Sequence, residues 1–468
     1  MTNIILINPP VSFKRNAWKK EIIPSTPHLG LLYIAGALED YGFSVKIIDA
    51  ADGSYSIEDI AKVIKEEHAQ LIGITSMTMN IRGAVQLAKE LKEKQGSIKI
   101  ILGGPHLSAD PTIIKRYPFF DIGITGEADI TFANLAISVV EKQENISGIY
   151  SGEIPFNLDD ISFPAYHLID FEQYRKRGFW ANLIMASRGC PYHCIFCSIP
   201  AISKKVRFRS PKNIINEMEK VYELTQSKYF GFVDDAFTVK KSFIFKLCDE
   251  MKNLSFKPIW DAATRVDYIN HDLLRAMKEA GCSKLFFGVE SGSERIRNEV
   301  IKKNVTDEQI KLATQLCWKN GIEPNHFLML GFPTESIYDI NKTVNCPSEF
   351  KPNAFNINIT QPLPGSPLFE LAVSEGIIEK DAIDKYIDGV YGDTYNEGWP
   401  KYIPKGVTYE YLLRAREIAY KKYYFRPRYI TRRLIRDIKS ISRLKYDMQN
   451  ALSLIFKGKS INDYTKEI

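Results

Sequence analysis

From Asn3 to Ile359 the chain alternates short apolar runs with helical periods, and only the stretch 146–180 interrupts the pattern. Few folds accept such a series, because strand–helix–strand order closes into parallel sheets with helices on their faces. The first series places strands at Asn3–Asn8, Ser44–Asp49, Leu71–Ser76, Ile98–Leu102 and Asp121–Thr125. Its helices fall at Leu29–Asp40, Ile57–Glu67, Ala84–Lys94 and Ile130–Glu141. That order predicts a doubly wound, Rossmann-like sheet over residues 1–145, with any ligand beyond the carboxyl ends of its strands. Those ends carry Asn8-Pro9-Pro10, Thr75-Ser76-Met77-Thr78, Gly103-Gly104-Pro105-His106 and Gly126-Glu127. Glycine at a strand end lets bulk approach the backbone.

After an irregular linker at 146–180, a second series begins at Asn182. Strands are expected at Asn182–Ala186, Tyr229–Val233, Ile259–Ala263, Lys284–Gly288, His326–Leu330 and Ala354–Ile359. Six strand–helix units over 181–385 suggest a partial (β/α)6 barrel, whose active site would lie at the C-terminal strand ends. Directly after the first of these strands stand Cys190, Cys194 and Cys197, in a C-x3-C-x2-C run. Three thiolates at this spacing can hold three irons of a 4Fe–4S cubane and leave the fourth open to a small molecule. A Cys3His zinc site using His193 is the alternative. It is disfavoured because His193 and Cys194 are neighbours and no second C-x2-C knuckle exists.

The cysteine run resembles the signature of radical S-adenosylmethionine (SAM) enzymes, with Phe196 where that family favours an aromatic beside the adenine. The resemblance implies that the open iron chelates SAM and that one electron splits its sulfonium. The resulting 5′-deoxyadenosyl radical then abstracts hydrogen from a substrate. Further segments match in order: Arg265 after the third strand, Glu290 and Ser291 after the fourth, Gly331 and Pro333 after the fifth. By resemblance, Glu290 and Ser291 contact the ribose or methionine of SAM, and Gly331 and Pro333 shape the backbone beside adenine. Arg265 offers a guanidinium fork that suits the SAM carboxylate. Asp234 and Asp235, ending the second strand, are weaker candidates.

The first series, with Pro27–Gly36, is similar to the cobalamin-binding domain ahead of many radical SAM barrels, as in the hopanoid methylase and anaerobic magnesium-protoporphyrin monomethyl ester cyclase type. This implies cobalamin contacts at Pro9, Pro10, Leu29, Gly30, Thr75, Ser76, Met77, Gly103, Gly104, His106, Gly126 and Glu127. The D-x-H-x-x-G motif is absent, so neither His28 nor His106 is expected to ligate cobalt. Residues 1–189 contain no cysteine, unlike methylthiotransferases with a second cluster. The resemblance implies a methyltransferase acting on an unactivated carbon. An oxidase or cyclase with the same cofactors is the alternative, and a non-catalytic metal-binding protein the third reading. A flavodoxin or ferredoxin would supply electrons, and the substrate would be a small or lipid-like molecule.

Seven cysteines form no disulfide framework; Cys248, Cys282, Cys317 and Cys346 are scattered singly. This favours a reducing cytoplasm. No apolar stretch reaches the ~20 residues that span a bilayer, and the N-terminus reads as a strand. The net charge of +6 is concentrated in the helical extension 386–468: Glu410–Tyr446 holds twelve Lys or Arg against three acids. Pro427 should split this basic region into two helices, the second over Tyr429–Leu452. A basic amphipathic helix can lie on an anionic membrane, pack on the barrel, or bind phosphate. The first reading would place the protein at the inner membrane surface. No nucleic-acid-binding module is present, so nucleic acid is not an expected partner.

Overall fold

The computed structural model describes residues 4–11, 26–176, 182–203, 205–392, 398–427 and 429–432. Its contacts group into two units: 1–263 with 275–283 and 362–400, and 264–274 with 284–361 and 401–468.

The first unit opens with β1 (Ile4–Asn8), β2 (Val45–Asp49), β3 (Leu71–Thr75), β4 (Lys99–Gly103), β5 (Ile122–Thr125) and β6 (Gly148–Ser151). They form a parallel sheet in the order β2-β1-β3-β4-β5-β6. Every residue of β1 (IILIN) and β3 (LIGIT) is buried, as parallel strands covered on both faces require. Helix Leu29–Asp40 covers one face with Leu31, Ala35 and Leu38, packed with Phe132 and Ala136 of Asp129–Ala136. Ser56 starts helix Ile57–Glu66 with a capping box to Asp59. The strand β6 lies within the stretch expected to be an irregular linker. Its four residues carry little apolar periodicity, and pairing with β5 gives them their structure.

The same unit holds β7 (Leu183–Ile184), β8 (Ser187–Arg188), β9 (Arg207–Phe208), β10 (Tyr229–Phe232) and β11 (Ile259–Thr264). The order β7-β10-β11 is parallel, whereas β8 and β9 pair antiparallel, Ser187 with Phe208 and Arg188 with Arg207. Segment 362–400 docks on the first sheet: Tyr386 OH donates to Met79 O at 2.8 Å, and Arg82 donates to Gly392 O at 2.9 Å.

The second unit takes over within β12 (Cys282–Glu290), from Lys284 on, and adds β13 (Glu323–Leu330) and β14 (Ala354–Ile359), all parallel. Helix Tyr409–Tyr424 closes the edge of β14. The Tyr420 hydroxyl accepts the Ile357 N–H at 3.0 Å and donates to Asn356 Oδ1 at 2.9 Å. The Tyr424 hydroxyl accepts the Phe355 N–H at 3.1 Å. Backbone groups that a seventh strand would pair are thus met by tyrosines. This helix is the first of the two expected basic helices; it packs on helix Ile337–Phe350 and stops at Tyr424, before Pro427. Most of the second, from residue 433 on, lies outside the described residues. No described helix is long and apolar enough to cross a membrane.

Candidate active site

The three cysteines lie in the loop 189–206, between β8 and β9. Cys190, Cys194 and Cys197 are half-buried and carry no disulfide, and the Cys197 N–H donates to Cys194 O at 3.0 Å, folding the loop tightly. Burial pushes the Cys197 thiol up to about 11, with the neighbouring Cys194 and Cys190 adding to the shift. His193 is exposed. Among the described residues no three His, Cys, Asp or Glu groups gather as ligands of one ion. Phe196 is half-buried in the same loop. Beyond the cysteines, Ser198 Oγ donates to Pro364 O at 2.9 Å, and Leu368 N–H to Ile195 O at 2.9 Å. Helix Ile199–Ile202 packs on helix Pro105–Ala109, which follows β4 of the first sheet.

The base of this loop is fixed on several sides. Asp234 accepts the Ala186 N–H at 3.1 Å and the Ser187 hydroxyl at 2.5 Å, and burial raises it to about 6. Burial raises Asp235 as well. Arg188 donates to Glu127 at 2.9 Å and to Asp129 at 2.6 and 3.0 Å, while Arg207 pairs with the other oxygen of Glu127. Just after β9, Arg209 enters a buried group with Glu217, Tyr33 and Tyr166. Glu127 was expected at cobalamin. Both of its oxygens accept from arginines of the cysteine hairpin, partners 61 and 80 residues away that no local pattern announces.

The remaining cobalamin candidates gather at the carboxyl edge of the first sheet. Pro9 and Pro10 follow β1, Leu29 and Gly30 open the next helix, and Thr75, Ser76 and Met77 follow β3. Gly103, Gly104 and His106 follow β4, and Gly126 follows β5. Gly104 has φ +99°, and a Cβ there would stand 2.6 Å from the Ser76 backbone, so two strand ends meet only because this residue lacks a side chain. Ser76 N–H donates to Gly103 O at 2.8 Å, and His106 N–H to Ser76 O at 2.9 Å. His106 is buried; its Nδ1 lies 3.1 Å from Thr78 Oγ1, its Nε2 has no partner, and burial lowers it to about 4. A neutral imidazole with one unused buried nitrogen, at a glycine-rich strand edge, fits a large amide-rimmed cofactor. His28 accepts the Leu31 N–H and caps its helix, which accounts for it structurally. Sequence reading missed the buried Asn8–Asp49–Asn80 network at the same edge, where Asn8 donates to Asp49 at 2.9 Å and Asn80 to Asn8 at 3.2 Å.

In the second unit the SAM candidates sit at strand ends as expected, but several are already engaged. Arg265 forks onto Asp267 at 2.9 and 2.8 Å and donates to Lys303 O at 2.7 Å. The expected fork for a SAM carboxylate is therefore turned onto a neighbour two residues away. Glu290, at φ +67° after a bulge in β12, pairs with Lys303 at 2.7 Å. Ser291 Oγ lies 3.1 Å from Thr343 Oγ1, and Ser291 O accepts from the fully buried Arg297 at 2.7 Å. Gly331 and Phe332 donate their N–H groups to Glu335 at 2.6 and 3.1 Å, which shapes the turn containing buried Pro333. Burial raises Glu335 to about 7.

Comparison with known proteins defines the class. The B12 binding domain family matches residues 22–136, and the Radical SAM superfamily matches residues 184–346. The chain is 29% identical to an uncharacterised methyltransferase of Pyrococcus horikoshii over 93% of its own length and 94% of the relative's. It is 26% identical to the anaerobic magnesium-protoporphyrin IX monomethyl ester cyclase of Rubrivivax gelatinosus, over 75% of this chain and 67% of that one. It is 24% identical to the cytidylyl-2-hydroxyethylphosphonate methyltransferase of Streptomyces wedmorensis, over 84% and 85%. The fold is that of the cobalamin-dependent SAM radical enzyme OxsB (TM-score 0.69, 16% identity, 98% of this chain and 75% of that one). It is equally that of the radical SAM methyltransferase TsrM of Kitasatospora setae (TM-score 0.66, 16% identity, 80% and 76%). The chain thus carries a B12 binding domain followed by a Radical SAM domain, and the cofactors that go with these two domains are cobalamin, SAM and a 4Fe–4S cluster.

Proposed function

We propose that the protein transfers a methyl group to an unactivated carbon of a small-molecule or lipid-like substrate, with a reduced flavodoxin or ferredoxin as electron donor. One observation carries the reading: the cysteine loop leaves directly from a hairpin gripped by the carboxyl edge of the cobalamin-type sheet, through Arg188, Arg207 and Glu127. A radical centre and a methyl carrier are useful together only when held at a fixed separation. The full-length likeness to the Pyrococcus methyltransferase supports the same reading. When bound, the three cofactors supply one-electron chemistry and a transferable methyl group.

The chain's part is binding and placement. Cys190, Cys194 and Cys197 would hold a 4Fe–4S cluster as thiolates. Phe196 is the aromatic that would face an adenine, and within the second unit Ser291 and the turn at Gly331–Pro333 are the groups that would meet SAM. His106, buried and uncharged, would offer its unpartnered Nε2 to cobalamin. Glu290, already balanced by Lys303, offers its second oxygen to a hydroxyl. Arg265 braces Lys303 and its loop rather than binding SAM directly.

The test uses anaerobically reconstituted protein, reduced flavodoxin, methyl-labelled SAM and a small-molecule extract of the parent cells. Label on a carbon of a product, together with 5′-deoxyadenosine, is the expected result. 5′-Deoxyadenosine with a changed but unlabelled product would replace this reading with an oxidase or cyclase of the same cofactors. No 5′-deoxyadenosine at all would overturn both.

A further inference from the structure

Loop 189–206 begins and ends at one place, because β8 and β9 pair across its base. Arg188 and Arg207 face each other in that pairing, one on each side of the neck. Both guanidiniums reach the same carboxylate: Arg188 takes Glu127 Oε2 at 2.9 Å, and Arg207 takes Oε1. Asp129 receives two further bonds from Arg188, and Arg207 also donates to Pro155 O at 3.2 Å. The four side chains are 7–13% exposed, so little solvent screens them. Gly189, the first residue past the neck, has φ +90°, and a Cβ there would stand 2.6 Å from Lys205 O across the loop. The neck is therefore closed by backbone approach as well as by charge. Glu127 itself sits immediately after Gly126, at the end of β5.

We infer that Glu127 is a positioning residue, clamping both sides of the cysteine-loop neck to the carboxyl edge of the first sheet and thereby setting the separation of cluster and cobalamin. Two opposed arginines on one carboxylate resist sliding in either direction, which a single ion pair would allow. Asp129 holds Arg188 in place for this task. The proposal deepens the reading above and rests on it for the identity of the two cofactors, but not for the clamp.

Two measurements separate these parts. The first is the microwave power saturation of the cob(II)alamin EPR signal, with the 4Fe–4S cluster oxidised and then reduced, in the wild-type holoenzyme and in Arg207→Lys. Reduction of the cluster speeds cobalamin spin relaxation according to the distance between the two centres. The lysine keeps the charge but loses the planar fork, so iron and cobalamin contents stay at wild-type values while the relaxation enhancement falls several-fold. Glu127→Gln, which removes the charge under both arginines, gives the larger fall. Unchanged enhancement in both variants overturns the proposal. So does loss of cobalamin from Glu127→Gln with full enhancement in Arg207→Lys, since Glu127 would then be a cofactor contact. The second measurement is chymotrypsin cleavage at Tyr192 and Phe196 in the apo-protein, which needs no cofactor. Faster cleavage in both variants, at an unchanged melting temperature, supports the clamp. Equal cleavage rates overturn it. Failure of the wild-type protein to bind both cofactors, with faster cleavage in the variants, refutes the cofactor assignment and leaves the clamp standing.

Discussion

The cysteine loop and the strand ends of the second unit are built from the same residue types, yet they spend their charges differently. Around the loop, arginines reach carboxylates 61 and 80 residues away, and the three cysteines between them carry no disulfide. In the second unit the charged partners are nearer in the chain, Arg265 with Asp267, Glu290 with Lys303, Glu335 with the backbone of Gly331 and Phe332, although Arg265 also reaches Lys303 O and Ser291 reaches Thr343. Long-range pairs fix one element against another. Short-range pairs harden a single turn. The first unit thus presents ligand groups held from outside, and the second presents backbone shapes whose side chains are largely consumed in making them.

That contrast predicts where substitutions act. The largest effect belongs to Cys194→Ala. Anaerobic reconstitution should lose cluster iron, and 5′-deoxyadenosine formation should drop to background, while the apo-protein melts as the wild type does. Survival of SAM cleavage would break the assignment of the loop. Next comes Arg297→Met in the second unit. Arg297 is fully buried, donates to Ser291 O and Val305 O, and pairs with Asp307. Its loss should destabilise the protein by about 3 kcal/mol in denaturant titration, at the low end for a broken buried pair because Asp307 keeps some solvent. The Michaelis constant for SAM should rise with it, since Ser291 loses its anchor. A stability loss without a change in SAM affinity would separate this loop from the cofactor.

The smallest expected effect is one of pH. Burial raises Glu335 from its ordinary value to about 7, and one oxygen has no partner in the described structure. An acid whose pKa is higher folded than unfolded binds its proton more tightly in the folded state. Its contribution to stability therefore falls as pH rises between about 4.5 and about 7, and above that the full penalty of a buried charge is present. Glu335→Gln should flatten this stretch of the stability–pH curve and raise the melting temperature at pH 8 relative to wild type. An unaltered curve would mean that the turn at Gly331–Glu335 carries its charge without strain.

Much of the site was legible in the sequence because its chemistry is local. The spacing of Cys190, Cys194 and Cys197 and their place after a strand are properties of one short segment, and the apolar periods that give the strands and helices are of the same kind. The glycines at 103 and 104 were legible as a strand end, and the structure supplies their reason in the Ser76 backbone. Three features were not legible. Strand β6 has too few apolar residues to announce itself. The pairing of β8 with β9 involves only two residues from each strand. Arg265 has the shape of a carboxylate-binding fork, and nothing in its own residue type tells that Asp267 takes the fork first.

The amino-acid order alone determined the two parallel α/β series, the triplet of closely spaced cysteines, and the glycine-bearing carboxyl edge of the first sheet. Each depends on residues close together in the chain, where periodicity and spacing are physical constraints in themselves. Only the tertiary structure decided which charges stay available. Glu127, expected at the cofactor, is the partner of two arginines, and Tyr420 and Tyr424, members of a basic stretch, cover a strand edge. Ion pairs and hydrogen bonds are made by whichever groups the fold brings within about 3 Å, and separation along the chain says little about that.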